Sequence, residues 1–442
     1  MIGEKMTKII SIGLLGFGTV GSGVVRLLQE EKALLEKRIG ATLVLKKIAD
    51  LDITTARPVS VPPGLLTTQA MEIIDDPEIN MVIELIGGYE PSCSFLEKAI
   101  TAKKHVVTAN KALLASKGGK LFRLAEKNGV DIGFEASVGG AIPIIKTLKE
   151  SLVANQIHSV FAIMNGTANF ILTSMTNDKL PFADVLREAQ RLGFAEADPA
   201  FDVEGIDTAH KLAIVLSLAY GKNVDLNNIY VEGISRITDQ DIAFAEELGY
   251  RIKLLAIAIN RGGKIEARVH PTMIPFTHLL ANVNANFNAF HVMGSASGSI
   301  FLYGQGAGMM PTASAVMSDV VDIARNIRYG IHNRVPARSI LEEDVQDIAL
   351  EDFEEMRSHY YFRFSAVDRP GVLSKISGIL AEKNISICAV IQKEQKPQGP
   401  VPIVMKTYEA RERDVREAIQ IIDRLDLVLD KTMLIRIEND DL

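Results

Sequence analysis

The run Ile9-Ile10-Ser11-Ile12-Gly13-Leu14-Leu15, followed at once by Gly16-Phe17-Gly18-Thr19-Val20-Gly21, decides the fold. Its first seven residues have the apolar density of a buried strand. Val24, Val25, Leu27 and Leu28 then give an apolar face to a helix directly after the glycines. In that setting Gly16 permits a tight turn, Gly18 lets the backbone approach a pyrophosphate, and Gly21 lets helix and sheet close up. The helix N-terminus offers free N–H groups and a positive dipole end to the phosphates. A lone Gly-x-Gly-x-x-Gly is a weak signal, but between a strand and a helix it predicts a nicotinamide-dinucleotide site at Gly16, Phe17, Gly18, Thr19, Val20 and Gly21.

Outward from this unit, apolar runs at Leu43–Ala49, Met81–Ile86, His105–Thr108 and Val130–Phe134 alternate with helix-patterned stretches at Gly21–Arg38, Ser92–Ala102 and Gly119–Asn128. That alternation predicts an α/β, Rossmann-type doubly wound parallel sheet over 1–137. Residues 138–312 change texture. A helix at Ala141–Leu152, a strand at Ser159–Met164, an Asn-Gly-Thr turn, helices at Phe182–Leu192 and Ile206–Tyr220, and runs at Arg251–Ile259, Lys264–Val269 and Phe287–Met293 predict an α+β substrate and dimerisation domain with a mixed sheet. A helix over 313–330 is expected to pack back on the first domain. Residues 342–355 carry eight acids and read, within 331–357, as a solvated linker. From 358 to 442 the order β-α-β-β-α-β is the ferredoxin-like pattern.

The 442 residues, 47% apolar and 23% charged, are ordinary globular composition. A net charge of -7 argues against nucleic acid or an anionic membrane as partner. Two distant cysteines, Cys93 and Cys388, exclude a disulfide framework and suit a reducing, cytoplasmic location. No apolar run is long enough to span a bilayer, and the early first strand leaves no room for a signal peptide. The second strand ends Ala49-Asp50-Leu51-Asp52, and an acid there hydrogen-bonds a ribose 2′-hydroxyl and repels a 2′-phosphate. Lys46, Lys47 and Arg57 lie close enough to offset that repulsion, so the choice between NAD and NADP stays open, with a slight lean to NAD.

The second constellation is Glu196-Ala197-Asp198-Pro199-Ala200-Phe201-Asp202-Val203-Glu204-Gly205-Ile206-Asp207, followed by Lys211. Asp207 and Lys211 are spaced i,i+4, on one helix face. The remainder of that helix, Leu212–Leu218, is almost wholly apolar and so buried, leaving its first turns to reach a cleft. A partly desolvated lysine beside acids is tuned between opposing shifts, which suits a proton carrier for a carbonyl receiving hydride. Spare carboxylates would hold a substrate ammonium and hydroxyl. Thr108-Ala109-Asn110-Lys111 ends a parallel strand, where cofactor and substrate meet in such sheets.

At these residues, and at Glu135–Pro143, Asn165–Asn169 and Gly304–Gly308, the chain resembles homoserine dehydrogenases, from the glycine loop to about residue 330. The resemblance implies reversible NAD(P)-dependent interconversion of L-homoserine and L-aspartate 4-semialdehyde, in threonine, methionine and isoleucine biosynthesis. It implies Lys211 as acid/base, Asp207 as its partner and a substrate ligand, Glu196 for the substrate amino group with Asp202 in support, and Gly166-Thr167 in the substrate pocket. Lys111 would lie at the nicotinamide–substrate junction, and Asp50 and Gly308 against the cofactor. It also implies a structural sodium ion held in the Glu135 region by backbone oxygens at Val138, Gly140 and Ile142, a chemistry that suits a hard cation. Ser295 stands where the resemblance leads one to expect an acidic residue. Residues from about 360 resemble an ACT domain, on Asp368-Arg369-Pro370-Gly371 and Asn384-Ile385-Ser386-Ile387. That implies pairing of modules into a homodimer or homotetramer, and feedback by an amino acid, with threonine the expected effector. Two readings compete. An aldehyde-oxidising semialdehyde dehydrogenase needs a nucleophilic cysteine with a base, and neither cysteine has a fitting histidine in sequence. A non-catalytic sensor of dinucleotide or amino acid needs an output module, and no recognisable helix-turn-helix or basic patch is present.

Overall fold

Buried strands alternating with amphipathic helices build a parallel sheet in the order Leu66–Thr67, Thr42–Ala49, Ile9–Leu15, Met81–Glu84, His105–Thr108, Ile132–Gly133. Every neighbouring pair is parallel. The computed structural model describes residues 8–393 and 400–438. From Ile9–Leu15 the chain winds first to one side and then to the other. The glycine loop therefore leaves the sheet at its switch point, where α/β sheets open a crevice for ligands. The helix Met309–Tyr329 belongs to the same body: Val316, Val320 and Ala324 share a core with Ile12, Leu14 and Val24. It approaches the helix Thr19–Glu30 closely, since a Cβ on Gly23 would lie 2.9 Å from that of Ala313.

The chain divides into two compact units and passes between them several times. One holds residues up to His158, His210–Asn227 and Asn288–Ile348; the other holds Ser159–Ala209, Asn228–Phe287 and Ala349–Leu442. In the second unit Tyr250–Arg261 and Lys264–Pro275 form a hairpin closed by Gly262-Gly263, in register from Tyr250↔Pro275 to Arg261↔Lys264. Ala256–Ile259 pairs with the strand Ile157–Ile163 on its other side. The C-terminal strands Arg357–Ala366, Ile387–Gln392, Val401–Thr407 and Met433–Ile437, with helices Val372–Glu382 and Glu412–Ile422, follow the β-α-β-β-α-β order. Their core is their own, with Tyr360, Phe362, Phe364, Ile376 and Val415 inside it. Yet the module does not hang free, because Met433–Ile437 pairs in parallel with the hairpin at Thr272↔Arg436 and Met273↔Ile437.

Several elements differ from the sequence expectation for local reasons. Asn-Gly-Thr at 165–167, read as a turn, starts the helix Gly166–Asp178, with the Asn165 side chain accepting from the Ala168 amide. The helix expected from Gly119 begins at Lys111, because Asn110 caps it through the Leu113 amide. The single helix expected over Gly21–Arg38 breaks at Glu31 into two. Ala141–Leu152 is shortened to Ile144–Lys146 and a wide turn at Thr147–Ser151, since Pro143 cannot continue a helix toward its N-terminal side.

The acidic stretch is more anchored than a solvated linker. Glu342 holds the buried Arg338, and Gln346–Asp347 pairs with Lys222–Asn223. In the second unit Leu350 bridges to Ile265, and Phe353 stacks on Tyr230. Among the described residues no helix is long and apolar enough to cross a membrane.

Candidate active site

Gly16 sits at φ 97, in the left-handed region, and donates its N–H to the Ala49 carbonyl at 2.8 Å. A Cβ there would lie 2.7 Å from the Leu85 carbonyl carbon and oxygen. A Cβ on Gly21 would lie 2.2 Å from the Gly16 oxygen, whereas one on Gly18 would meet nothing within 4 Å. Gly16 and Gly21 are thus required by the protein itself, and Gly18 leaves an open face for a ligand. Thr19 and Val20 form the first turn of the helix that begins there. A cavity of about 520 Å³ borders the loop, lined among others by Gly16, Asp50, Gln69, Ile86 and Phe95.

Asp50 does more inside the protein than the sequence foresaw. Its Oδ2 accepts the Phe17 N–H at 2.5 Å and its Oδ1 the Asp52 N–H at 2.9 Å, so it closes the glycine loop. Of the three nearby cations, Lys46 is taken by Asp76 and Glu78, and Lys47 by Glu72. Arg57 is the one beside the acids, 3.8 Å from Asp50 and 3.6 Å from Asp52. Two strands along, the fully buried Glu84 accepts from the Thr108 hydroxyl at 2.6 Å and from the Ile86 and Gly87 amides. Asn110 Nδ2 donates to Gly88 O at 2.6 Å. These bonds fix the strand ends and place Lys111 at the first turn of its helix, at the carboxyl edge of the sheet.

In the second unit one side chain organises the acidic loop. Asn165 Nδ2 donates to Asp202 Oδ1 at 2.7 Å and to Asp207 Oδ2 at 2.9 Å, all three side chains being at least partly buried. The pairing of Asn165 across about forty residues has no signature in sequence spacing. Asp207 opens the helix Ile206–Tyr220 and is 1% exposed, and Lys211, one turn on, is 8% exposed. Thr167 Oγ1 donates to Phe194 O at 2.6 Å, and Gly166 faces Asn286, whose carbonyl oxygen a Cβ would approach to 2.8 Å. Glu196 is not drawn into this bridge: its side chain is exposed, and its carbonyl accepts from Gln190 at 3.1 Å.

Below the helix Gly166–Asp178 lies a buried cation. Lys253 Nζ donates to Val283 O at 2.6 Å and to Asn169 Oδ1 at 3.1 Å. Burial pushes its pKa down to about 7, with the Arg251 cation adding to the shift. The unfolded chain then binds a proton that the native state sheds above that value, so this lysine makes stability rise with pH from about 7 to 10. A thermal-melting series on Lys253→Met is expected to lose that rise; an unaltered pH slope would contradict the assignment.

A family model described as homoserine dehydrogenase matches residues 143–321, its NAD-binding domain matches 16–135, and an ACT domain matches 360–427. Homoserine dehydrogenases of Neisseria gonorrhoeae and Bacillus subtilis are 44% and 42% identical, each over 98% of this chain and 99% of theirs. The chain belongs to the homoserine dehydrogenase family. The crystal structure of the homoserine dehydrogenase from Thiobacillus denitrificans superimposes with a TM-score of 0.92 at 46% identity, covering 98% of this chain and 99% of that one. A hyperthermophilic archaeal homoserine dehydrogenase in complex with NADPH matches with a TM-score of 0.60 at 26% identity, over 71% of this chain and 97% of that one.

As a homoserine dehydrogenase the protein is an oxidoreductase acting on a CH–OH group with NAD(P), and its C-terminal module is an ACT domain. At Cys93 the thiol reading also fails on local chemistry. Cys93 is buried and donates to Glu97 at 3.3 Å, and burial together with that carboxylate pushes its pKa up to about 11. At neutral pH it is a thiol, not a nucleophilic thiolate.

The Glu135–Ile142 loop carries out a structural task. The Glu135 carboxylate accepts the Ile145 and Lys146 amides at 2.9 and 2.8 Å, and the Glu135 amide donates to Asp319 at 2.7 Å. Burial, with Asp319 nearby, raises Glu135 to about 7. Its side chain is thus a helix cap, and Ile142 O accepts the Ile144 amide at 2.8 Å. Among the described residues no three His, Cys, Asp or Glu side chains are placed to hold a metal. Ser295 exchanges two backbone and hydroxyl bonds with Gln156, so in place of an acid it serves as a loop staple. Asn288, 1% exposed, has neither amide atom bonded among the described residues and abuts Gly306 in the Gly304–Gly308 loop. The helix Met309–Tyr329 starts after that loop, with Gly308 as its N-cap.

Proposed function

We propose that this enzyme oxidises L-homoserine to L-aspartate 4-semialdehyde, and runs the reverse, with Lys211 as acid/base. The observation that carries the assignment is the Asn165 bridge to Asp202 and Asp207, with Lys211 one helical turn beyond. Asp207 orients the Lys211 ammonium and the substrate. Lys211 Nζ, when neutral, takes the hydroxyl proton during oxidation, and as ammonium returns it to the carbonyl oxygen during reduction. The bound nicotinamide supplies the hydride acceptor or donor. Glu196 and Asp202 serve the substrate amino group, Gly166 and Thr167 form the pocket wall, and Lys111 stands at the junction with the cofactor. Gly16 to Gly21 and Gly308 take the dinucleotide. The test is cofactor reduction on adding L-homoserine, with NAD and NADP in turn; no reduction with either contradicts the reading.

The acid at Asp50 leans the choice slightly to NAD, and in this reading Arg57 is the residue through which NADP is also accepted. Asp50 stays charged while it accepts the Phe17 amide, and it is Arg57, 3.8 Å from Asp50 and 3.6 Å from Asp52, that offsets the repulsion of a 2′-phosphate. The relative crystallised with NADPH supports the same direction. Arg57→Ala is expected to raise KM for NADP about tenfold while leaving KM for NAD near wild type, a charge–phosphate contact being worth about 1.4 kcal/mol or more. Equal effects on both cofactors would remove Arg57 from this role.

The same reading places a structural sodium ion on the backbone oxygens of Val138, Gly140 and Ile142, beside Glu135. Its support is the Gly139-Gly140 turn and the hardness of carbonyl oxygen, and no step of the reaction runs through it. It also has the ACT domain pairing with a second copy in a cytoplasmic homodimer or homotetramer and answering to threonine, on the analogy of an amino-acid-sensing module attached to this pathway.

A further inference from the structure

Arg436, on the last strand of the ACT domain, is 1% exposed and joins two carboxylates of different elements. Its Nε and Nη2 reach the fully buried Glu412 at 3.0 and 2.5 Å, and its Nη1 reaches Glu232 at 2.7 Å. Tyr360 donates to Glu412 at 3.0 Å and Tyr230 to Glu232 at 2.7 Å, so both acids are held from a second side. The guanidinium also lies 5.1 Å from the Tyr230 and Phe353 rings, which are stacked at 3.5 Å. Glu232 is followed by Gly233 and Ile234, and there backbone meets backbone. The Ile234 amide donates to Val203 O at 2.8 Å, and a Cβ on Gly233 would lie 2.5 Å from both Glu204 Cα and Val203 O. Val203 and Glu204 lie between Asp202 and Asp207, the two acids that Asn165 bridges. A cleft of about 690 Å³ runs along this contact, with Glu204 and Ile206 on one side and Arg416 and Arg436 on the other.

We propose that the ACT domain positions the substrate loop: Arg436 holds Glu232, and the Gly233-Ile234 backbone sets where Val203 and Glu204 lie. Arg436, Glu232 and Gly233 are positioning residues. The proposal rests on the reading of Asp202 and Asp207 as substrate ligands. It follows that whatever moves the helix Glu412–Ile422 or the strand Met433–Ile437 changes substrate affinity before cofactor affinity. The connection is made of directed charge-assisted bonds and a backbone contact with no side chain between, so a small displacement is transmitted rather than absorbed.

The experiment is steady-state kinetics of the full chain with L-homoserine and NADP, with thermal melting alongside. Replacing Arg436 would strand the buried Glu412 carboxylate and threaten folding, so the variants are Glu232→Ala, which leaves the Arg436–Glu412 pair intact, and Gly233→Ala. Each is expected to raise KM for L-homoserine about tenfold and leave KM for NADP within about twofold, misplacement of about an ångström being enough for such a loss. Glu232→Gln, which keeps an acceptor for Arg436, should recover most of the affinity. Asp207→Asn is the control for the reading beneath. If it raises KM for L-homoserine while both other variants leave it unchanged, the positioning role is overturned and the loop assignment stands. If none of the three changes it, both fall. A parallel loss of both affinities and of melting temperature would also overturn the proposal, since that is a general structural defect.

Discussion

Lys211→Ala is expected to lose turnover by about a thousandfold, the middle of the range for removing a general acid/base. Its affinity for the dinucleotide should stay within about twofold of wild type, because cofactor binding does not depend on that side chain. The helix Ile206–Tyr220 has Leu212, Val215 and Leu216 at 0% exposure, so its position does not depend on the lysine. Truncation removes the ammonium beside the buried Asp207, so melting temperature should fall as well, and the Lys211→Ala protein is assayed below its melting range. Kinetically, kcat and kcat/KM should fall together, since the proton moves only in the chemical step. Unimpaired turnover, or loss of turnover together with loss of cofactor binding, would take Lys211 out of the role.

The second large effect is at Gly21. Helix propensity alone favours Ala over Gly by about 1 kcal/mol, so Gly21→Ala would stabilise an isolated helix. In the protein the added Cβ would sit 2.2 Å from the Gly16 oxygen, a backbone atom that cannot swing aside. Gly16 is itself held by its bond to Ala49 and by the Leu85 carbonyl against its own Cα. Overpacking of this kind costs about 1–3 kcal/mol and prevails over propensity. The helix must withdraw from the loop, and dinucleotide affinity is expected to fall at least about a hundredfold, an ångström of misplacement being sufficient. Gly18→Ala separates the two effects. Nothing lies within 4 Å of its Cβ, so the fold should melt as wild type while cofactor binding weakens, the methyl occupying the ligand's side. If Gly18→Ala and Gly21→Ala lose the same melting temperature, the division between a folding glycine and a binding glycine is wrong.

Five of the six strands of the parallel sheet were legible from apolar runs such as Ile9–Leu15 and Met81–Glu84, whereas the edge strand Leu66–Thr67 is two residues long and too short to carry such a signal. The helix Ile206–Tyr220 was equally plain, its run from Leu212 to Leu218 apolar but for Ser217. The helix Gly166–Asp178 was not, since Asn-Gly-Thr favours a turn as strongly as a cap and only the Ala168 amide decides between them. In the site, Asp207 and Lys211 could be read from their spacing on one helix. Asn165 could not, because it acquires its meaning from Asp202 and Asp207, about forty residues away in sequence. Asp50 shows the converse: the sequence read its carboxylate as a ribose ligand, and in the fold that carboxylate accepts the Phe17 amide, a bond that closes only when the glycine loop is formed. The attachment of the ACT domain was likewise hidden, because a parallel pairing such as Thr272↔Arg436 leaves no local mark in either strand.

The central claim is that Lys211 carries the proton released when L-homoserine is oxidised, and the pH dependence of kcat/KM for L-homoserine tests it most directly. The wild-type enzyme should show a limb along which activity rises with pH as one lysine loses its proton, and the residual activity of Lys211→Ala should lack that limb. A limb of the same midpoint surviving in Lys211→Ala would assign the proton to another group and contradict the account.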